Sequence, residues 1–237
     1  MIQFEKILQQ PSILFYLILV ITLIITRIPF IGKYFRVVDT IIHETAHALT
    51  AVFTSGKVLS INLFADTSGS TVTKSSGKFG QVMVSLAGYP VSSLTALLMM
   101  YLVSTGNNLL IIFILVSVTI TGMMLFIRNG YGLLWAGTFS VLNFLVIYFD
   151  NQLLIQSLSI FYTLIILTDS VIAPLYLLVL SVTQASKAGD ASNLKMATHI
   201  PAFIWALLFS AFALYCGYWA VHIGFPRFDL YPMLKQL

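Results

Sequence analysis

The sequence predicts an all-α polytopic membrane protein of about seven transmembrane helices, with a small β-hairpin after the second, and three observations support this. Only 8% of the 237 residues are charged and 59% are hydrophobic, whereas a soluble domain carries about 25% charged residues. Mean hydropathy is +0.96. Apolar runs long enough to cross the roughly 30 Å of hydrocarbon in a bilayer recur along the whole chain. So few charged side chains cannot solvate the surface of a 26.3 kDa fold, which excludes a water-soluble single domain. The net charge of +4 comes from basic residues scattered singly. That is the pattern of Lys/Arg bias in membrane loops rather than a nucleic-acid face, so no nucleic-acid partner is expected. One cysteine, Cys216, excludes an intrachain disulfide and a thiolate metal cage.

The predicted spans are Ser12–Ile28, Val37–Thr54, Val82–Val103, Leu109–Ile127, Tyr131–Phe149, Ile155–Thr183 and Ile200–His222. Glu5 and Lys6 precede the first without a basic n-region, and no Ala-x-Ala site follows, so it reads as a retained helix and not a signal peptide. The connector with Arg27, Lys33 and Arg36 is either a short interfacial turn anchored by Phe30, Tyr34 and Phe35 or a plain loop. In the long interval after the second span, Val58–Ala65 is β-branched and partly alternating, and Asp66–Gly69 is turn chemistry. Ser70–Lys74 can pair back, giving a hairpin over about 57–74. Open sheet edges cannot face lipid, so this hairpin must lie at the interface or against protein. The connectors at Ser104–Asn108 and Asp150–Leu154 lack Lys and Arg, whereas Lys57, Lys74, Lys78, Arg128, Lys187 and Lys195 occupy the others. That bias places the N-terminus inside and the C-terminus outside, with Arg27, Lys33 and Arg36 on the opposing side. No internal repeat interrupts the chain, which is expected to form a single membrane-embedded domain over 1–237.

Three carboxylates, Asp39, Glu44 and Asp169, fall inside predicted spans. An acid near the bilayer centre costs about 2.5–3.5 kcal/mol on the lenient insertion scale, so each is retained for a partner, a cavity or a reaction. Glu44 lies in His43-Glu44-Thr45-Ala46-His47, an H-E-x-x-H sequence on a helix. Imidazoles at i and i+4 stand on one face about 6 Å apart along the axis, near enough to share one Zn²⁺. The intervening Glu reaches the water at such an ion and serves as its general base, and zinc lowers the pKa of that water toward about 7. The bland alternative is a helix with two packed histidines and a glutamate paired to one of them. It leaves three desolvated polar groups without an evident partner.

A catalytic zinc takes three protein ligands and keeps one open position. Asp169 lies near the middle of the sixth span as His43 and His47 lie near the middle of the second, so matching depth favours it. Asp190, in Lys187-Ala188-Gly189-Asp190-Ala191-Ser192, and His199 are the alternatives, where solvated charge, turn formation or helix capping is the simpler reading. Asp39 precedes His43 by four residues. It either orients a ligand imidazole from behind or is a carboxylate placed near a helix N-terminus. His222, beside Trp219, reads as an interfacial histidine.

These residues resemble the site-2 proteases, intramembrane zinc metalloproteases that cut membrane-spanning or membrane-embedded proteins. The resemblance rests on the His43–His47 motif, the hairpin directly after it, Ala87-Gly88-Tyr89-Pro90 at the next span, and Asp169 later. Gly189-Asp190-Ala191 ahead of a last helix starting at His199-Ile200-Pro201-Ala202-Phe203-Ile204-Trp205 is similar to the compact M50B-like branch of that family. The resemblance implies His43, His47 and Asp169 as zinc ligands, Glu44 as the base, a membrane protein as substrate, and residence in a bilayer as a multi-pass protein, a bacterial cell membrane being the expected one. One departure keeps Asp190 open as the third ligand: the family's acidic ligand sits in an Asn/Pro-containing Asp-Gly segment, whereas here Ser170 follows Asp169 and Pro174 comes five residues on. No stretch is long enough for a fused sensing module such as a PDZ domain. A substrate helix hides its amides, so the hairpin is expected either to receive substrate as an added strand or to plug the bundle. Asn129 and Asn143 line a water path or make interhelical hydrogen bonds. Two non-peptidase readings use the same cluster, an ion or metal carrier and a catalytically inactive scaffold. Two imidazoles with a carboxylate suit zinc better than calcium or magnesium.

Overall fold

A computed structural model describes residues 10–75 and 77–226; Glu5 and Lys6 lie outside the described residues. Each of the seven apolar runs forms a helix. They are α1 (Pro11–Ile25), α2 (Ile31–Phe53), α3 (Lys78–Ser104), α4 (Asn108–Leu125), α5 (Gly130–Phe149), α6 (Gln152–Thr183) and, after a short helix α7 (Gly189–Thr198), α8 (Ala202–Gly224). Five of these, α3, α4, α5, α6 and α8, are long and apolar enough to cross a membrane. The first helix, at 15 residues, is shorter, and α2 carries Lys33, Arg36, Asp39 and Glu44. Two expectations change. Residues 31–36 are not connector but the first turns of α2, entered through Phe30 at φ 66°, and the polar segment after α6 is not a loop but the ten-residue α7. Of the prolines on the resemblance, Pro90 lies within α3 and Pro174 within α6, both continuous helices, whereas Pro201 immediately precedes α8.

The apolar face of α2, with Val37, Val38, Ile41 and Ala48 buried, packs into a core shared with Met99 and Met100 of α3 and Ile165 and Ile166 of α6. The fifth helix docks on α2 through Trp135, whose Nε1–H donates to the Tyr34 carbonyl (2.8 Å) while its ring stacks on Phe139 (centroids 4.9 Å). Asn143 holds α5 to α6: its amide donates to the Tyr162 hydroxyl (3.2 Å) and to its own helix at Phe139 (2.8 Å). That is the interhelical role rather than a water path.

The hairpin forms as expected. β1 (Lys57–Leu63) and β2 (Gly69–Lys74) pair antiparallel, with Ile61 opposite Thr71 and Leu63 opposite Gly69. Asp66 closes the turn, accepting from the Ser68 N–H (3.0 Å) and hydroxyl (2.6 Å), and these bonds hold its carboxyl below the usual carboxylate range. The far edge of β1 is covered by the α4–α5 connector. Ile61 N–H donates to Phe126 O (2.8 Å), Arg128 N–H donates to Ile61 O (3.2 Å), and the Asn129 side-chain amide pairs with both backbone groups of Leu63 (3.1 and 2.6 Å). Asn129 therefore serves as one more strand residue. Since Ile61 and Leu63 face away from β2, their partners Thr71 and Gly69 also point their backbone N–H and C=O outward, along the open edge of β2.

Candidate metal centre

The i, i+4 spacing on α2 sets the His43 and His47 rings edge to face, with centroids 4.6 Å apart and Nε2 atoms 3.0 Å apart. His47 Nδ1 lies 2.6 Å from the Val84 carbonyl of α3. A carbonyl only accepts, so Nδ1 carries the proton and Nε2 presents a lone pair toward the site. His43 is held sterically: Tyr89 packs edge-on against its ring (4.7 Å), and Gly88 lies so close that a Cβ there would overlap it. The third group is Asp190, whose Oδ2 lies 3.3 Å from His43 Nε2 and 3.2 Å from His47 Nε2. It arrives as the second residue of α7, which the chain enters through Gly189 at φ 38°, a left-handed conformation that favours glycine. Ala188, Ala191 and Leu194 anchor α7 by burial against Leu177, Ala202, Ala206 and Phe209.

The donor set fits zinc. A tetrahedral ion with bonds of about 2.0–2.1 Å spaces its ligand atoms about 3.3 Å apart, and the three edges here are 3.0, 3.2 and 3.3 Å. Two imidazole nitrogens and one carboxylate oxygen lie close enough together to hold one ion, giving three protein ligands among the described residues.

Asp169 is placed elsewhere. Arg36 Nε lies 3.0 Å from both of its carboxylate oxygens. Matching depth was a good guide only to within a turn: Ala173 of α6 lines the cavity with the histidines, and Asp169, four residues earlier, lies about 6 Å along the axis at the level of Arg36. The structure thus brings His43, His47 and Asp190 together and leaves Asp169 as the counter-ion of Arg36. Asp39 is buried on the His43 face and lines the cavity, but the ring held from behind is His47, by Val84, and Asp39 Oδ1 has no hydrogen-bond partner among the described residues. His199 ends α7 at φ 63°, outside the cluster, and His222 stacks parallel on Tyr218 (6.0 Å) beside Trp219.

Glu44 is positioned by the hairpin. The Thr71 hydroxyl donates to Glu44 Oε2 (2.6 Å) and to its backbone carbonyl (3.0 Å), and the Thr40 hydroxyl donates to Thr67 O (2.8 Å). Gly69 packs so closely on Glu44 that a Cβ there would lie 2.6 Å from Oε1. Sequence reasoning missed the roles of Thr71, Gly69, Gly88 and Arg36, because each depends on contacts between distant segments. Around the cluster lies a cavity of about 830 Å³, bounded by α2, the open edge of β2, α3 at Val84 and Tyr89, and α7 at Asp190 and Asn193. His43, Gly88 and Ala173 each lie ten positions from the same end of their helices, at Phe53, Lys78 and Thr183. The cluster is therefore about 15 Å inside that end of the bundle.

A family model described as Peptidase M50B-like matches residues 16–220. No curated protein and no solved structure matches the chain.

Proposed function

We propose that this chain, which belongs to the Peptidase M50B-like family, is an intramembrane zinc metalloendopeptidase hydrolysing peptide bonds of membrane-spanning or membrane-embedded proteins. The observation that carries this reading is the convergence of His43, His47 and Asp190 in one cavity with Glu44. Those three residues would hold the zinc, which when bound polarises a carbonyl and makes water nucleophilic at neutral pH. Glu44 takes the proton of the attacking water and passes it to the leaving amine. Thr71 clamps Glu44 Oε2 and so fixes the rotamer, leaving Oε1 for the proton. Val84 fixes the His47 tautomer.

Substrate presentation falls to β2. A substrate helix has its amides hydrogen-bonded to one another, so a segment must unwind before attack. The outward N–H and C=O groups of Gly69 and Thr71 give that segment a strand to pair with, directly beside Glu44. Pairing there replaces the hydrogen bonds lost on unwinding.

The test is Glu44→Gln in purified protein reconstituted with a panel of fluorogenic transmembrane peptides, with zinc measured in parallel. The variant keeps its zinc and loses turnover by at least about 10²-fold, the contribution of a general base. A Gln variant that cleaves as fast as wild type, or a zinc-loaded wild type that cuts no peptide in the panel, sinks the peptidase reading in favour of a scaffold.

A further inference from the structure

Three lysines converge at the end of α2 that lies about 15 Å from the metal centre. Lys57 and Lys74 are register partners across the base of the hairpin, and Lys78 opens α3. The segments are tied together: Gly56 N–H donates to Ala51 O (2.8 Å), and Gly80 packs against Thr54 and Ser75. All three lysines are exposed, and none forms an ion pair among the described residues. Like charges opposite one another destabilise a hairpin. The hairpin's own acid, Asp66, sits in the turn at its other end and cannot compensate them.

Two phenylalanines stand beside the lysines with their rings bare, Phe53 (84% exposed) and Phe79 (73% exposed). Exposed rings next to unpaired ammonium groups suit the boundary of a bilayer, where rings enter the acyl region and lysines reach the phosphates. The depth agrees, because about 15 Å is half of the roughly 30 Å hydrocarbon layer. A bilayer centred on the metal centre would hold these lysines at headgroup level. An acidic protein segment would pair with the lysines equally well but would leave both rings uncovered.

We propose that Lys57, Lys74 and Lys78 bind the phosphate groups of anionic phospholipids, with Phe53 and Phe79 seated beneath them. Lys74 also lines the cavity, so the bound headgroup lies at the cavity rim. The proposal rests on the membrane setting and stands whether or not the chain is a peptidase.

The full chain in detergent is titrated with phosphatidylglycerol or phosphatidylcholine of identical acyl chains, and retained lipids are counted by native mass spectrometry. At about fivefold per lysine, the wild type retains phosphatidylglycerol over phosphatidylcholine by tenfold or more. The triple variant Lys57→Gln, Lys74→Gln, Lys78→Gln loses that preference, the triple Arg variant keeps it, and thermal unfolding of all three in phosphatidylcholine is the same. Equal retention of the two lipids by wild type overturns the proposal, as does a preference that survives in the Gln variant. Displacement of phosphatidylglycerol by an equimolar glutamate-rich peptide overturns it in favour of a protein ligand.

Discussion

Replacing Asp190 and Asp169 by Asn, one at a time, separates the metal site from its neighbour. Asn keeps the volume of the side chain and removes the charge. Structural zinc sites bind with about 10–16 kcal/mol over four ligands, so one ligand carries about 3–4 kcal/mol, or roughly 10²–10³-fold in affinity. Asp190 Oδ2 faces both imidazole nitrogens at 3.2–3.3 Å, and Asp190→Asn is expected to lose affinity on that scale. Asp169→Asn leaves all three ligand atoms in place and is expected to change zinc affinity less than threefold. Its effect falls on stability, because Arg36 loses its counter-ion. A fully buried pair broken in this way costs about 3–5 kcal/mol. The Arg36 side chain is 36% exposed, however, so the cost is discounted to about 1–2 kcal/mol by solvent screening. The assay is competition for zinc with a chelator of known affinity, followed by metal analysis and thermal unfolding of the same samples. Asp190→Asn binding zinc as tightly as wild type, with Asp169→Asn emptied, would refute the assignment.

Three further variants probe the supports of the site. Gly88→Ala drives a methyl group into the His43 ring, so zinc affinity falls tenfold or more in the same competition; unchanged affinity would mean that the ring moves freely. Thr71→Val removes the hydroxyl that holds Glu44 Oε2, a bond to a charged group worth about 1.5–3 kcal/mol. Turnover of a transmembrane peptide is then expected to drop at least tenfold with zinc content intact, and full activity would show that Glu44 needs no clamp. Asn129→Ala deletes both bonds to the Leu63 backbone, at about 1 kcal/mol each, and the Leu63 amide should exchange with deuterium faster. Unaltered exchange would place the stability of the β1 edge in the Ile61–connector bonds alone.

The apolar helices were legible in the sequence because hydrocarbon thickness imposes run length, whatever the helices later pack against. His43, Glu44 and His47 were legible for a different reason: helix periodicity alone fixes their relation. Asp190 reaches the histidines from another part of the chain, and no local period encodes that approach. Depth along α6 pointed to Asp169, but the predicted second span began at Val37 and so left out Arg36, the cation that takes this carboxylate. α7 mixes polar and small residues without an amphipathic stripe, and its helix is stabilised by burying Ala191 and Leu194 rather than by local pattern. The use of Asn129 as a strand residue had no local signal either, since the Leu63 it pairs with is 66 positions away.

The polar face of α2 explains why a hairpin accompanies this helix. Arg36, Asp39, His43, Glu44 and His47 recur at helical spacing along one side, and no such stripe is stable against hydrocarbon. Each neighbour supplies a polar complement: α6 gives Asp169, α3 gives the Val84 carbonyl, α7 gives Asp190, and the hairpin gives the Thr67 carbonyl and the Thr71 hydroxyl. The hairpin is thus needed by α2 before any substrate arrives. Its own demand is the open edge of β2, whose unpaired N–H and C=O groups would each cost several kcal/mol against lipid. They face the cavity instead. A polar-lined cavity beside β2 therefore meets that demand by keeping the strand edge away from lipid, and under the proposed function it would also admit the substrate strand and the water that hydrolysis requires.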